Sequence, residues 1–449
     1  MLKYPDIVFK LSIPEPAAAN LSPLQQKFQR VLQHNIQHEG SSILCWAAGQ
    51  KSVSLMETLL DQYHADVNAV HGDKTPLINA VMSGFLAAVE QVLSRRELDL
   101  NYFNQGHRAL WYSTAQKDSA IAQRLLRQPG MEINRPLQAK NGKILTIFNE
   151  AVIRNNTAVV KVILADERTD LNIAAESMRT PLLCATDRGH LGIVKLLLGD
   201  PRVDPVCRDA RGYSALHYAA EDGDVQLVDL FLADGRIDVG ARNYHESTAL
   251  HLVAKAGHIG VVNRLLMASA IDCNAKNRKG RTALWNATRQ GHDQVASRLL
   301  IDEDLEVNST ATGESTDRST SLHHAVKARN LALVYQLLAK SSADPNVPDE
   351  GGRTPLWWAA AVGDLLLVMS LQDDPRTQPD IRDHNGLDPV DIARSRNDHE
   401  VVRLLTNCRH HCPAVIFAEV VMIVILIPIL LLLSLASVVR RALARVCIL

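Results

Sequence analysis

A six-residue phrase returns along almost the whole chain, and no other feature constrains the fold as much. Thr75-Pro76-Leu77-Ile78-Asn79-Ala80 comes back as Thr180-Pro181-Leu182-Leu183-Cys184-Ala185 and as Ser214-Ala215-Leu216-His217-Tyr218-Ala219. Further copies are Thr248-Ala249-Leu250-His251-Leu252-Val253, Thr282-Ala283-Leu284-Trp285-Asn286-Ala287 and Thr354-Pro355-Leu356-Trp357-Trp358-Ala359. Weaker copies open at Ser42, Arg108, Thr146, Thr320 and Asp388, so eleven starts are separated by six steps of 34 residues, two of 33 and two of 38. A chain of 449 residues would otherwise suggest about three domains. A period this regular means instead one small unit repeated, each copy burying its apolar face against the next.

Other residues keep the same phase. Four positions after the last residue of the phrase stands Gly84, Gly189, Gly223, Gly257, Gly291 or Gly363, while the last copy has Asn397 there. An apolar stripe follows, as in Ile193-Val194 with Leu196, Leu197 and Leu198. Then comes an acidic-x-Asn phrase, as in Asp66-Val67-Asn68 or Asp170-Leu171-Asn172. Each part has a physical reading. Thr caps the first turn of a short helix. Pro, at the next position, loses nothing there because the first-turn N–H has no helical partner. Gly ends that helix with a positive φ. The stripe has the 3.6-residue period of a second helix. The acidic-x-Asn phrase leads into a projecting turn.

The phrase resembles the T-P-L-H-x-A signature of the ankyrin repeat, whose period is about 33. The resemblance covers residues 42 to about 407. It implies an all-α solenoid of about eleven helix-turn-helix units with projecting hairpins, and a protein-binding role without catalysis. It also implies that His217, His251 and His323, at the His of the signature, bond backbone in the adjoining loop. Trp111, Trp285 and Trp357 occupy the same position and are expected to pack between repeats.

Nothing in the sequence adds catalytic chemistry. There is no G-x-x-x-x-G-K-[ST], H-E-x-x-H or G-x-S-x-G motif and no kinase signature. Lys plus Arg number 48 against 49 Asp plus Glu, a balance that gives no electrostatic case for direct nucleic-acid binding. Seven scattered cysteines, an odd number, argue against a disulfide framework. No cofactor, metal or small-molecule substrate is expected. Repeat phase places Arg211, Tyr213, Tyr244, His245, Arg278, Lys279, Arg281 and Arg353 at hairpin tips and Arg289 late in a first helix. Arg and Tyr are enriched at binding hot spots, so these residues are the candidate contacts for an acidic protein partner. The alternative is that charged tips are simply solvated.

Two units exceed the period by four residues, in the hairpins around 135–143 and 308–319. The second, NSTATGESTDRST, is Ser/Thr-rich, which suits either phosphorylation or a tolerated surface insertion. Residues 1–40 fit no repeat. They carry no secretory signal, and a helix over 23–37 is expected to cap the array, which itself spans 41–407. A juxtamembrane segment, 408–419, holds Cys408 and Cys412 as candidate lipidation sites. Residues 420–439 are twenty without a charge, enough at about 1.5 Å per residue to cross a bilayer core of about 30 Å. A basic tail, 440–449, follows. The resulting expectation is a tail-anchored, single-pass membrane scaffold with its array in the cytosol. Pro428 leaves open a hairpin rather than a span. The rival reading is a soluble or nuclear transcription co-regulator, because the array also looks like those of filamentous fungi, some of which accompany the transcription factors of biosynthetic gene clusters.

Overall fold

The computed structural model describes residues 43–102, 108–116, 119–138, 144–268, 271–312 and 318–407. Two compact bodies hold them, one built from residues up to 219 with 226–238, the other from 220–225 with residues from 239 onward. Both are made of the same antiparallel helix pair. In the first body, residues 43–49 pair with Val53–Asp61, Pro76–Ser83 with Leu86–Leu93, and Ala109–Ser113 with Ala120–Leu126. Ile147–Ile153 with Thr157–Leu164, and Pro181–Asp187 with Leu191–Leu198, complete that series. Ala215–Asp222 and Val225–Ala233 contribute residues to both bodies. The second body continues with Ala249–Ala256 and Ile259–Leu265, Ala283–Gln290 and Asp293–Leu299, and Ser321–Lys327 and Leu331–Leu338. Pro355–Val362 with Leu365–Gln372, and Pro389–Ser395 with His399–Asn407, end it.

A first helix begins one residue after ten of the eleven phrase starts, for the reason the phrase suggests. The side chains of Thr75, Thr146, Thr180, Thr282, Thr320 and Thr354 each accept the backbone N–H three residues on. Such a cap contributes about 1 kcal/mol. Leu77, Leu182, Leu250, Leu284 and Leu356 are buried between neighbouring pairs, as are Ala80, Ala185, Ala287 and Ala359. Burying one such Leu is worth roughly 1.5–3 kcal/mol.

The residue that ends a first helix is left-handed whether or not it is glycine. Gly84, Gly257, Gly291 and Gly363 have φ of 68°, 86°, 76° and 74°. Lys51, Asn155, Arg329 and Asn397 hold the same position at 62°, 54°, 56° and 57°. The turn geometry is therefore set by the helix pair, and a non-glycine there carries strain. Lys51→Gly is expected to stabilise the first helix pair by about 1 kcal/mol; a urea midpoint that does not rise counts against that account.

Where it occurs, the acidic-x-Asn phrase ties a repeat to the one that follows. Asn172 Nδ2 donates to Arg202 O at 2.8 Å while its Oδ1 accepts Asp204 N–H at 2.7 Å. Asn274 does the same with Asp304 O and Glu306 N–H, and Asn346 with Arg376 O and Gln378 N–H. A second clasp was not anticipated. In the Asp-x-Arg stretches, Arg202, Arg236 and Arg376 reach back to carbonyls that end the preceding second helix, Leu164, Leu198 and Leu338, at 2.5, 2.9 and 2.6 Å.

The solenoid is all-helical as expected, and one projecting hairpin adds a short ladder. The longer hairpin of the Arg108 repeat forms a two-stranded antiparallel ladder, Leu137–Gln138 with Ile144–Leu145, in which Leu137 faces Leu145 and Gln138 faces Ile144. Extra residues let the projecting turn extend into paired strands. Among the described residues no helix is long and apolar enough to cross a membrane. The run 420–439, Cys408 and Cys412 lie outside the described residues, as does the helix expected over 23–37.

Candidate protein-interaction surface

Three hairpin tips are each built round one buried or half-buried Asn or Asp side chain. Asn243 Oδ1 accepts the N–H groups of His245 and Ser247 at 2.9 and 3.0 Å. Asn277 Oδ1 takes those of Lys279 and Arg281 at 3.0 and 3.1 Å, and Asp349 Oδ1 those of Gly351 and Arg353 at 2.9 and 3.0 Å. Such Asx turns fix the tip backbone and aim the next residues outward. The signal was legible as an Asp or Asn five residues before six of the eleven phrases, and sequence reasoning missed it.

Tips then dock on one another. Arg278 N–H donates to His245 O at 2.9 Å. Beside this contact lies an open cleft of about 620 Å³ lined by Glu246, Lys276, Arg278, Glu306 and Thr310 among others. Lys276 Nζ pairs with Glu306 Oε2 at 2.7 Å, which holds the Glu306 carboxyl below the usual carboxylate range.

The nine candidate contacts separate into two kinds. Tyr244, 61% accessible, and Arg211, His245, Arg278, Lys279 and Arg289 are exposed. Neither Arg278 nor Lys279 has a side-chain partner among the described residues. Several of the nine, exposed or not, make contacts within their own repeat. Arg281 lies 4.2 Å from the ring centre of Trp285, and exposed Arg289 stands 5.4 Å from it. Arg353 bonds Asp349 and stacks 4.5 Å over Trp358. Arg211 stacks 4.2 Å over Tyr213 and reaches Tyr218 Oη. Tyr213 is only 7% accessible, because its ring packs against His217 and Tyr218 rather than pointing off the tip. Arg211 and Tyr213 belong to the first body and the other seven to the second.

The His position does what the resemblance implied. Thr248 N–H donates to His251 Nδ1 at 3.2 Å, so Nδ1 is the bare nitrogen and Nε2–H donates to Arg281 O at 2.9 Å. His323 makes the same bonds with Thr320 and Arg353 O. Other residue types substitute. Asn149 Nδ2 reaches Arg179 O at 2.8 Å and Trp285 Nε1 reaches Ser319 O at 2.7 Å. Each target carbonyl belongs to the residue just before the next phrase.

No described thiol is primed as a nucleophile. Burial pushes Cys45 up to about 12 and Cys184, Cys207 and Cys273 up to about 11. Among the described residues no group of three or more His, Cys, Asp or Glu is placed to hold a metal.

Comparison with known proteins agrees with this architecture. The family model described as "Ankyrin repeats (3 copies)" matches residues 44–136, 148–243, 216–311, 250–349 and 322–414. The chain is 34% identical over 80 residues to 26S proteasome non-ATPase regulatory subunit 10 of Dictyostelium discoideum, covering 18% of this chain and 34% of that protein. It is 34% identical over 97 residues to the ARF GTPase-activating protein GIT1 of Homo sapiens, covering 21% of this chain and 12% of that one. The matches thus span about a third or less of those relatives. A crystal structure of the ankyrin repeat domain of Bcl-3 superposes with a TM-score of 0.44 at 24% identity, covering 51% of this chain and all of that one. With family matches running along most of the chain, and helix pairs on the same period, the protein belongs to the ankyrin-repeat family.

Proposed function

We propose that the chain is a non-catalytic scaffold that takes an acidic protein surface on its exposed basic tips and is held at a membrane by residues 420–439. Ankyrin repeats imply a protein–protein interaction role; the face and the membrane are the finer part of this reading. One observation carries the face. Arg278 and Lys279 are adjacent, exposed and without side-chain partners among the described residues, beside exposed Tyr244 and the Lys276 cleft. Two cations held by a rigid tip attract an acidic partner without first breaking internal ion pairs. The anchor rests on the sequence: twenty uncharged residues are long enough to span a bilayer core.

Arg278→Glu with Lys279→Glu is expected to weaken binding of a fluorescein-labelled polyglutamate peptide by about tenfold or more, ~1.4 kcal/mol. The urea midpoint should stay unchanged, because neither side chain has a partner to lose among the described residues. Unaltered affinity rules out this face. Alkaline carbonate extraction of the full chain tests the anchor. A chain released by carbonate, or found in the nucleus, replaces the membrane reading with the co-regulator.

A further inference from the structure

The Ser/Thr-rich hairpin of the long Thr282 repeat is not used by the interaction reading. Its placement is built rather than incidental. Tip residues donate a backbone N–H to the preceding tip, as Arg278 does to His245 O and His384 to Gly351 O, both at 2.9 Å. Thr312 keeps this rule and donates to Lys279 O at 2.7 Å. Its Oγ1 lies directly over Gly280, where an added Cβ would stand 2.4 Å away. Thr312 itself is exposed, and Thr310 and Thr312 line the same cleft as Lys276 and Arg278. A hydroxyl is thus fixed on the basic tip, next to Lys279. Among the described residues that line or adjoin the cleft, Lys276, Arg278 and Lys279 stand against Glu246 and Glu306.

We propose that Thr312 is a phosphorylation site whose phosphate closes the basic cleft to an acidic partner. The inference rests on the interaction reading above and adds its control. In the transfer, Thr312 Oγ1 bonds to the γ-phosphorus of a nucleoside triphosphate held by a protein kinase. The bond to the bridging oxygen breaks, the nucleoside diphosphate leaves, and the hydroxyl proton passes to the kinase's base. The product carries about −1.5 to −2 charge at pH 7 and three acceptor oxygens. Placed beside Lys279, it reverses the local sign and gives the tip cations a partner within the chain.

The test uses the full chain, detergent-solubilised, with phosphothreonine installed at position 312 through an expanded genetic code. By phosphorus NMR titration the second phosphate pKa should fall by about half a unit or more from its ordinary value near 6. That shift should shrink in the Arg278→Gln, Lys279→Gln background. Affinity for the fluorescein-labelled polyglutamate peptide should drop by about tenfold relative to the unmodified chain. An unshifted phosphate overturns the proposal, since the basic tip then does not engage it. A shifted phosphate with unchanged peptide affinity overturns the gate and leaves the interaction reading intact. An unmodified chain that fails to bind the peptide overturns the interaction reading and the gate together. Mass spectrometry of the chain from the cells that make it should find phosphate on Thr312; its absence under all growth conditions also overturns the proposal.

Discussion

Gly257→Ala should destabilise the repeats around it by about 3 kcal/mol, and Gly189→Ala by only about 1, although both glycines end a first helix with positive φ. The φ values are 86° and 67°, so each alanine meets the left-handed penalty of roughly 1–2 kcal/mol. The surroundings differ. A Cβ on Gly257 would stand 2.5 Å from Nδ1 of His292, whereas nothing lies within 4 Å of one on Gly189. His292 is held there because its Nε2 bonds Lys255 O at 3.0 Å. Alanine must therefore push the ring away and break that clasp, an overpacking cost of about 1–3 kcal/mol. Urea denaturation with hydrogen exchange on the Ala249–Ala256 and Ala283–Gln290 helices measures the local loss. Adding His292→Ala should recover part of it. Equal costs at the two glycines would show that backbone conformation alone decides, and the steric account would fail.

The same position shows how far the sequence could be read. Six glycines on one phase announced a helix end with positive φ. Lys51, Asn155, Arg329 and Asn397 do not announce it, yet they take that conformation. A glycine lowers the cost of a turn; packing of the helix pair demands it. Reading by residue type therefore finds the turns where evolution removed strain and misses those where strain persists. The Thr caps and the second-helix stripes were legible because their partners lie within one repeat.

The candidate contact residues were less legible, and the reason is local crowding. Phase says which side of a repeat a residue occupies, not what stands beside it. Arg281 and Arg353 each stand just before a phrase, at a hairpin tip like Arg278 on phase alone. Both lie over tryptophans of their own repeat, Trp285 and Trp358. The signal was present as an Arg four or five residues before a Trp, a spacing that lets the guanidinium stack on the ring. Tyr213 went the same way, buried by aromatic neighbours. What remains outward is Arg211, Tyr244, His245, Arg278, Lys279 and Arg289, a smaller set than the one expected.

Acidification from pH 6.5 to 4 should remove about 3 kcal/mol of stability through His251 alone. Burial, at 2% accessibility, lowers its pKa from the ordinary 6.5 to about 4. Desolvation is the main cause, and the bond to Arg281 O only partly opposes it. The native ring stays neutral because Nδ1 must accept from Thr248; a proton there would face the Thr248 N–H. The unfolded chain takes up a proton near pH 6.5 and the native chain does not. Stability is therefore complete above pH 6.5, falls as the pH drops, and levels off below about 4, where both states are protonated. Asn149 supplies the control, since its amide serves the same carbonyl position without titrating. His251→Asn should thus flatten the difference in urea midpoint across this window relative to the parent. If the two profiles run parallel from pH 7 to 4, His251 is not buried as a neutral acceptor, and the clasp between its repeat and the next does not depend on its protonation state.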